Sequence, residues 1–459
     1  MADYKTPGIY IEEVSSLPPS VVAAETAIPA FVGYTESGAP ASASAAEPTK
    51  ISSMLEYTSR YGGPAGEAYT VTLDADDNIT DVSPTNGALT GFNMYYALKL
   101  FFENGGADCY IVSVGDYSAT LSDESLKAGL NTLAKEDEPT MLLFPDAPTI
   151  GDLDKYYGVF QQALAQCYDL KDRIVLVDTM NDGDTAVDDL RNKIGTKYLS
   201  YGAAYYPWLK SIYAYHYQDA DITLSQSSRN NGDPYSGTLA DYSDASSATY
   251  DSGFSAMVAK ELENEAVILP PSSAMAGVYT AVDNDRGVWK APANVSLSSV
   301  SGPTLKINDA EQESLNVDST GGKSVNAIRY FSGLGNLVWG ARTLNGNSRE
   351  WRYISTRRYY NFVEDSLRTA TQWAVFEPND AQTWATLRGM IWSFLSDQWR
   401  QGALTGAKEE EAFFVNVGKG STMTEQDILD GKLIIEIGMA VVRPAEFIIM
   451  RFSHYTQTS

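Results

Sequence analysis

Three stretches decide the fold: Cys109-Tyr110-Ile111-Val112-Ser113-Val114, Met141-Leu142-Leu143-Phe144-Pro145-Asp146 and Arg173-Ile174-Val175-Leu176-Val177-Asp178. Each is short, near-continuously apolar and rich in β-branched or aromatic residues, as a buried strand requires. Between them the apolar period changes. Leu126, Leu130 and Leu133 recur at helical spacing behind a capping Ser122, and a second helix is expected over residues 153–168. Strands apolar on both faces, alternating with amphipathic helices, predict a mostly parallel sheet covered on both sides.

Toward the N-terminus, Ala30-Phe31-Val32-Gly33-Tyr34 reads as another buried strand, and a short helix starts at Met54-Leu55-Glu56-Tyr57. Residues 69–73 and 79–82 flank a polar turn at 74–78, which predicts a hairpin. A helix over 91–103 is stopped by Gly105-Gly106. Toward the C-terminus the expected elements are a helix at 185–195, a strand at Tyr213-Ala214-Tyr215-His216 and a helix at 255–265. Residues 217–252 lack any period and are expected as a surface loop or small elaboration. Pro270-Pro271-Ser272-Ser273 is read as the end of the αβ run, 283–292 as a polar loop around Trp289, and 293–328 as a turn-rich connector. Helices are expected at 358–376 and, capped at Asp380, along the stripe Trp384, Leu387, Ile391, Leu395 and Trp399. Phe413-Phe414-Val415-Asn416-Val417, residues 432–437 and the run at Phe447 read as antiparallel strands.

Both ends are short β-forming runs entered through a proline. Thr6-Pro7-Gly8-Ile9-Tyr10-Ile11-Glu12-Glu13-Val14 opens the chain, and Arg443-Pro444-Ala445-Glu446-Phe447-Ile448-Ile449-Met450-Arg451-Phe452 nearly closes it. Such a terminal strand satisfies its backbone inside its own domain or completes the sheet of a neighbouring copy. The second choice makes a polymer.

At 459 residues, two to four domains are expected. The net charge of −26 argues against nucleic acid and anionic membranes. Residues 329–459 carry 14 Lys and Arg against 14 Asp and Glu, so the whole acidic excess lies before them. The same segment holds six of the eight tryptophans, a composition suited to large buried contacts. Two cysteines, Cys109 and Cys167, give no disulfide framework, and the first residues lack a basic-then-apolar signal region, so folding in a reducing cytoplasm is expected. No run reaches the ~20 apolar residues of a membrane span, so no direct membrane insertion is expected.

Catalytic constellations are missing, and no catalytic, cofactor or metal residue is assigned. Gly322-Lys323-Ser324 ends like a phosphate loop, but Val317 stands where the first glycine belongs. Asp74, Asp76 and Asn78 suggest a calcium loop, yet Ile79 replaces its turn glycine and Thr85 its bidentate glutamate. Only His216 and His454 are present, which leaves little room for a His-based triad or metal site; His216 is read as a core residue of its strand.

Ordered blocks along the chain then carry a resemblance. They are Thr6 to Glu13, Phe31-Val32-Gly33-Tyr34-Thr35, Phe101-Phe102-Glu103-Asn104-Gly105-Gly106, Pro270-Pro271-Ser272, Ala276-Gly277-Val278-Tyr279 and the 283–294 segment. Stronger still are Trp339-Gly340-Ala341-Arg342-Thr343-Leu344, Trp373-Ala374-Val375-Phe376-Glu377-Pro378-Asn379-Asp380 and Arg443-Pro444-Ala445-Glu446-Phe447. The chain resembles contractile tail sheath proteins of phage tails, R-type pyocins and extracellular contractile injection systems. Its αβ part is more similar to the injection-system sheaths than to the short pyocin-like ones.

The resemblance implies an α/β plus α+β multidomain chain. Its expected parts are an N-terminal linker arm (1–22), an α/β region (23–328) with variable insertions near 36–90 and 217–252, a sheath core domain (329–442) and a C-terminal arm (443–459). It implies stacked hexameric rings around an inner tube, in contact with baseplate and terminal cap proteins and with paralogous sheath subunits. Contraction would drive the tube through a target membrane. Ile9, Tyr10, Ile11, Glu12 and Val14, with Glu446, Phe447, Ile448, Ile449 and Met450, are the expected inter-subunit contacts, and Pro18-Pro19 and Gly438 the flex points. Arg357, Arg358, Asn361, Glu364, Asp365 and Arg368 are the candidate tube-facing helix surface. Assembly in the bacterial cytoplasm followed by an extracellular, cell-anchored or phage-tail location is implied. The competing readings are a doubly wound α/β enzyme and a surface adhesin or capsid-like protein.

Overall fold

A computed structural model describes residues 20–450, so Ile9 to Val14 and the Pro18-Pro19 linker lie outside the described residues. Two compact units divide the chain. One comprises residues 25–362 with 443–450; the other comprises 363–442 with 20–24.

The first unit is built on an eight-stranded sheet. From edge to edge its strands are Gly335–Trp339, Val325–Phe331, Gly202–Tyr206, Ile174–Asp178, Met141–Leu143, Pro29–Tyr34, Cys109–Gly115 and Thr49–Ile51. The six inner strands run parallel, and the two outer ones pair antiparallel. Alternate side chains feed two cores, because successive residues of a strand point to opposite faces. Val32, Val112, Leu142 and Val175 face the helices Asp123–Thr132 and Leu153–Leu170. Phe31, Ile111, Leu143 and Leu176 face Met94–Glu103 and Ser272–Arg286. Full burial of each such side chain contributes roughly 1.5–3 kcal/mol. Gly129 lets its helix approach the sheet closely; a Cβ there would lie 2.4 Å from Val114 Cγ1. The Ser122 hydroxyl accepts the Ser125 amide at 3.2 Å, so the expected cap is present.

Several expectations change. The boundary at 329 falls inside the strand Val325–Phe331, because the Val325–Trp339 hairpin extends the large sheet. The strand Gly202–Tyr206 replaces the expected strand at 213–216 in that sheet. Leu209–Ala214 instead joins a three-stranded sheet with Ala266–Leu269 and Val300–Pro303, and His216 lies beyond it, exposed. Of the two readings of residues 217–252, the small elaboration holds and the loop does not. Ile222–Gln226 and Ser236–Thr238 pair into a four-stranded sheet with the hairpin strands Tyr69–Leu73 and Ile79–Pro84. Pro271 does not end the αβ run but sits at the N-cap of the buried helix Ser272–Arg286, where a missing N–H costs nothing.

The second unit holds the end of the helix Ile354–Ala370, the helix Ala381–Arg400 and one two-stranded sheet, Phe413–Val417 against Ile435–Met439. Asp380 caps the long helix, accepting the amides of Gln382 and Thr383 at 3.0 Å each. Leu387, Ile391 and Leu395 are buried as the stripe predicts. Trp384 and Trp399, half-buried, place their indole N–H groups on Asn379 Oδ1 and the Gly406 carbonyl. Gly438 is no flex point: it pairs with Phe414 in the ladder, and a Cβ there would lie 2.1 Å from the Phe414 ring. The third strand expected at Phe447 does not form among the described residues.

Candidate functional site

The closing segment divides at Glu446. Its carboxylate accepts Arg342 Nε at 2.9 Å and Nη2 at 2.6 Å, Asn316 Nδ2 at 2.8 Å and the Tyr353 hydroxyl at 3.1 Å. Arg342 is buried, with 4% of its side chain exposed. Burial acts to raise the Glu446 pKa, but the hydrogen bonds from Arg342 and Asn316 outweigh it and hold the carboxyl below its usual range. The next four residues behave oppositely. Phe447, Ile448, Ile449 and Met450 are 70–79% exposed and belong to no strand. In the single chain Glu446 is thus bonded within the first unit, while the four residues after it make no such contact.

In the second unit, among the described residues, no further strand extends the two-stranded sheet, though the Thr405 amide donates to the Ala440 carbonyl just past its end; apolar side chains stand in solvent around it. Phe414, Leu429 and Ile434 are exposed, and Phe376 is fully exposed in the left-handed region at φ 69°. A bulky residue there is strained by ~1–3 kcal/mol. Beside it, Thr371, Val375, Phe376, Leu387, Leu433 and Ile435 line a groove of about 610 Å³.

The expected tube-facing surface is corrected in its first half. Arg357, Arg358 and Asn361 are buried within the first unit. Arg358 pairs with Asp283 at 2.5 Å, donates to the Thr26 carbonyl at 2.8 Å and lies over the Tyr279 ring. Arg357 donates to Asn361 Oδ1 at 2.8 Å and stacks on Trp351, while Asn361 donates to the Arg173 carbonyl. A fully paired guanidinium is stable in a core, which the sequence pattern of a charged helix face does not reveal. Of the six, Glu364 and Arg368 are exposed, and Asp365 is half-buried and bonded to Arg368 at 2.6 Å.

An enzyme with this sheet would use the crevice at the carboxyl ends of the strands, where the strand order reverses. That place, between Pro29–Tyr34 and its neighbours, is filled by the chain itself. Asp146 is fully buried and accepts the amides of Tyr34 at 2.7 Å, Asn93 at 2.6 Å and Met94 at 3.0 Å. Burial pushes its carboxyl up to about 7, against the pull of those three amides. Gly33 permits the contact, since a Cβ there would lie 2.3 Å from Asp146 Oδ2. The other candidates for chemistry are also structural. Lys323 is buried and donates to the Arg191 carbonyl, and Asp74 accepts the Asp76 and Asn78 amides within its own turn. Among the described residues no group of three His, Cys, Asp or Glu could hold a metal, and no helix is long and apolar enough to cross a membrane.

Asp283, Asn316, Arg342 and Tyr353 show no local sign of their partners in the sequence; the one signal is that Arg342 and Asp283 lie in the family-like blocks.

The described residues thus combine a large covered sheet, a crevice filled by the chain, an exposed apolar tail and a small two-stranded sheet. Residues 347–454 match the family of the phage tail sheath C-terminal domain. The chain is similar to a subunit of the PVC sheath complex of an extracellular contractile injection system in its contracted state. Identity is 29%, coverage 99% of this chain and 98% of that one, and the TM-score 0.68. It is similar to the helical sheath of the anti-feeding prophage in its contracted state, at 32% identity, 98% and 99% coverage and a TM-score of 0.65. A prophage major tail sheath protein of Pseudomonas aeruginosa strain UCBPP-PA14 is 27% identical over 116 residues, 24% of this chain and 28% of that protein. The chain belongs to the contractile tail sheath family, and its fold is the mixed α/β fold of these sheaths.

Proposed function

We propose that the chain is the repeating subunit of a contractile injection-system sheath, stacked as hexameric rings around an inner tube. The observation that carries this reading is the match between an exposed apolar tail, Phe447 to Met450, and a two-stranded sheet that no third strand extends among the described residues. An extended segment of one copy adds to such an edge in the next, with main-chain hydrogen bonds for strength and alternate side chains in pockets for specificity. Ile9, Tyr10, Ile11, Glu12 and Val14 are assigned the same donor role at the other end. Glu364, Asp365 and Arg368 are assigned to the tube-facing surface, and the acidic excess of residues 1–328 to the solvent side, where it keeps the assembly dispersed. Baseplate, terminal cap and paralogous sheath subunits are the remaining partners. The protein is made in the bacterial cytoplasm and works in an extracellular or cell-anchored particle.

Contraction is a change between two packings of rigid subunits joined by strands that stay paired. A gain of ~ a few kcal/mol per subunit, summed over the polymer, drives the tube through a membrane. Similarity over nearly the whole chain to the PVC and anti-feeding prophage sheaths favours an injection system over a phage tail, which is the second reading. Deleting residues 447–459 tests the donor role. The expected result is a folded, soluble subunit that no longer sediments as sheath; wild-type polymer yield would overturn it.

A further inference from the structure

The junction at Glu446 suggests where the load on the C-terminal arm enters the subunit. Arg342 is buried, and Glu446 supplies its bidentate carboxylate. Arg342 is in turn locked to the large sheet. Its amide donates to Asn326 Oδ1 at 2.7 Å and its carbonyl accepts Asn326 Nδ2 at 2.8 Å. Asn326 Nδ2 also donates to the Ala204 carbonyl at 3.0 Å, in the adjacent parallel strand. Gly340 gives this arrangement its space, since a Cβ there would lie 2.7 Å from Asn326 Oδ1. If the whole segment from Arg443 moved to another copy, a buried guanidinium would lose its carboxylate, which is far costlier than losing an exposed pair.

We propose that Glu446 is a positioning residue that clamps the arm to its own subunit through Arg342, so that the donated segment starts at Phe447. Tension on the arm then passes through Arg342 and Asn326 into the interior of the eight-stranded sheet, not into a loop. The clamp sets both the exit point of the arm and its length, and these fix the register in which the segment meets a neighbour's sheet. The proposal rests on the sheath reading and adds to it the side of the interface to which Glu446 belongs.

The test uses the full chain. E446Q keeps the size of the side chain but loses its charge, and should lower the subunit melting temperature by about 5 °C. Sheath yield, measured by sedimentation well below that temperature, should fall at least tenfold, and E446D should recover part of it. A melting shift with wild-type yield would make Glu446 merely structural and overturn the clamp. A second set asks which chain supplies the partner. R342E/E446R in one chain should restore yield, whereas R342E and E446R chains co-expressed should not; restoration by the mixture would place the bond between copies and contradict the proposal. If wild-type chains form no sheath while E446Q still shifts the melting temperature, the sheath reading fails and the bond itself stands.

Discussion

The two units treat exposure in opposite ways. In the sheet unit even charged groups are buried and paired: Arg358 and Asp283 have 3% and 2% of their side chains exposed, and Asp172 meets Arg173 at 2.7 Å. In the other unit an aromatic residue stands fully in solvent on a strained backbone, and among the described residues the sheet has two strands. An isolated two-stranded sheet is marginal in water and needs more strands or a packed face. One unit is complete by itself. In the proposed assembly the other is finished by a neighbouring copy, the division of labour a polymerising subunit needs.

Breaking the complete unit should have the largest effect on folding. R358M would leave Asp283 buried without its counter-ion, at a cost of ~3–5 kcal/mol, read as a lower urea midpoint. A shift within experimental scatter would mean that this core is less closed than its contacts imply. D146N should cost ~2–3 kcal/mol, because both carboxylate oxygens accept backbone amides and an amide nitrogen cannot.

The pH response sharpens the same contrast. Burial raises the pKa of Asp146 and of Asp178 to about 7. Each folded value lies above the ordinary aspartate value, so the folded state binds more protons in between. Stability from these sites is full at low pH and is lost as pH rises through about 7. Melting temperatures should therefore fall between pH 5.5 and pH 8. D178N, whose parent carboxylate meets the Ser272 amide at 2.9 Å, should flatten that slope. An unchanged slope in D178N would remove Asp178 from the account.

The smallest stability effect belongs to the incomplete unit. F376S should change subunit stability by less than ~0.5 kcal/mol, as for an exposed position, while reducing sheath yield. A core-like loss of stability would show that Phe376 packs within its own chain and would dissolve the comparison.

Legibility in the sequence followed the range of the interactions. The parallel strands at 109–115, 141–143 and 174–178, the Ser122 and Asp380 caps and the 69–84 hairpin all announce themselves within a few residues. Gly202–Tyr206 was missed because Gly-Ala-Ala carries little apolar signal, although every residue of the strand is buried. Ile222, Leu224 and Gln226 alternate inward over only five residues, too short a pattern to stand out from their polar surroundings. The site was least legible. Arg358 finds Asp283 75 positions away and Glu446 finds Arg342 104 positions away. Without those partners an arginine on a helix reads as solvent-facing, and a glutamate in an arm reads as a contact for someone else.

Completion of this subunit by copies of itself is tested most directly by negative-stain electron microscopy of the full chain. Expression alone and with the inner tube protein should give hollow, ridged tubes in at least one case. Monomers or small closed oligomers in both would contradict it.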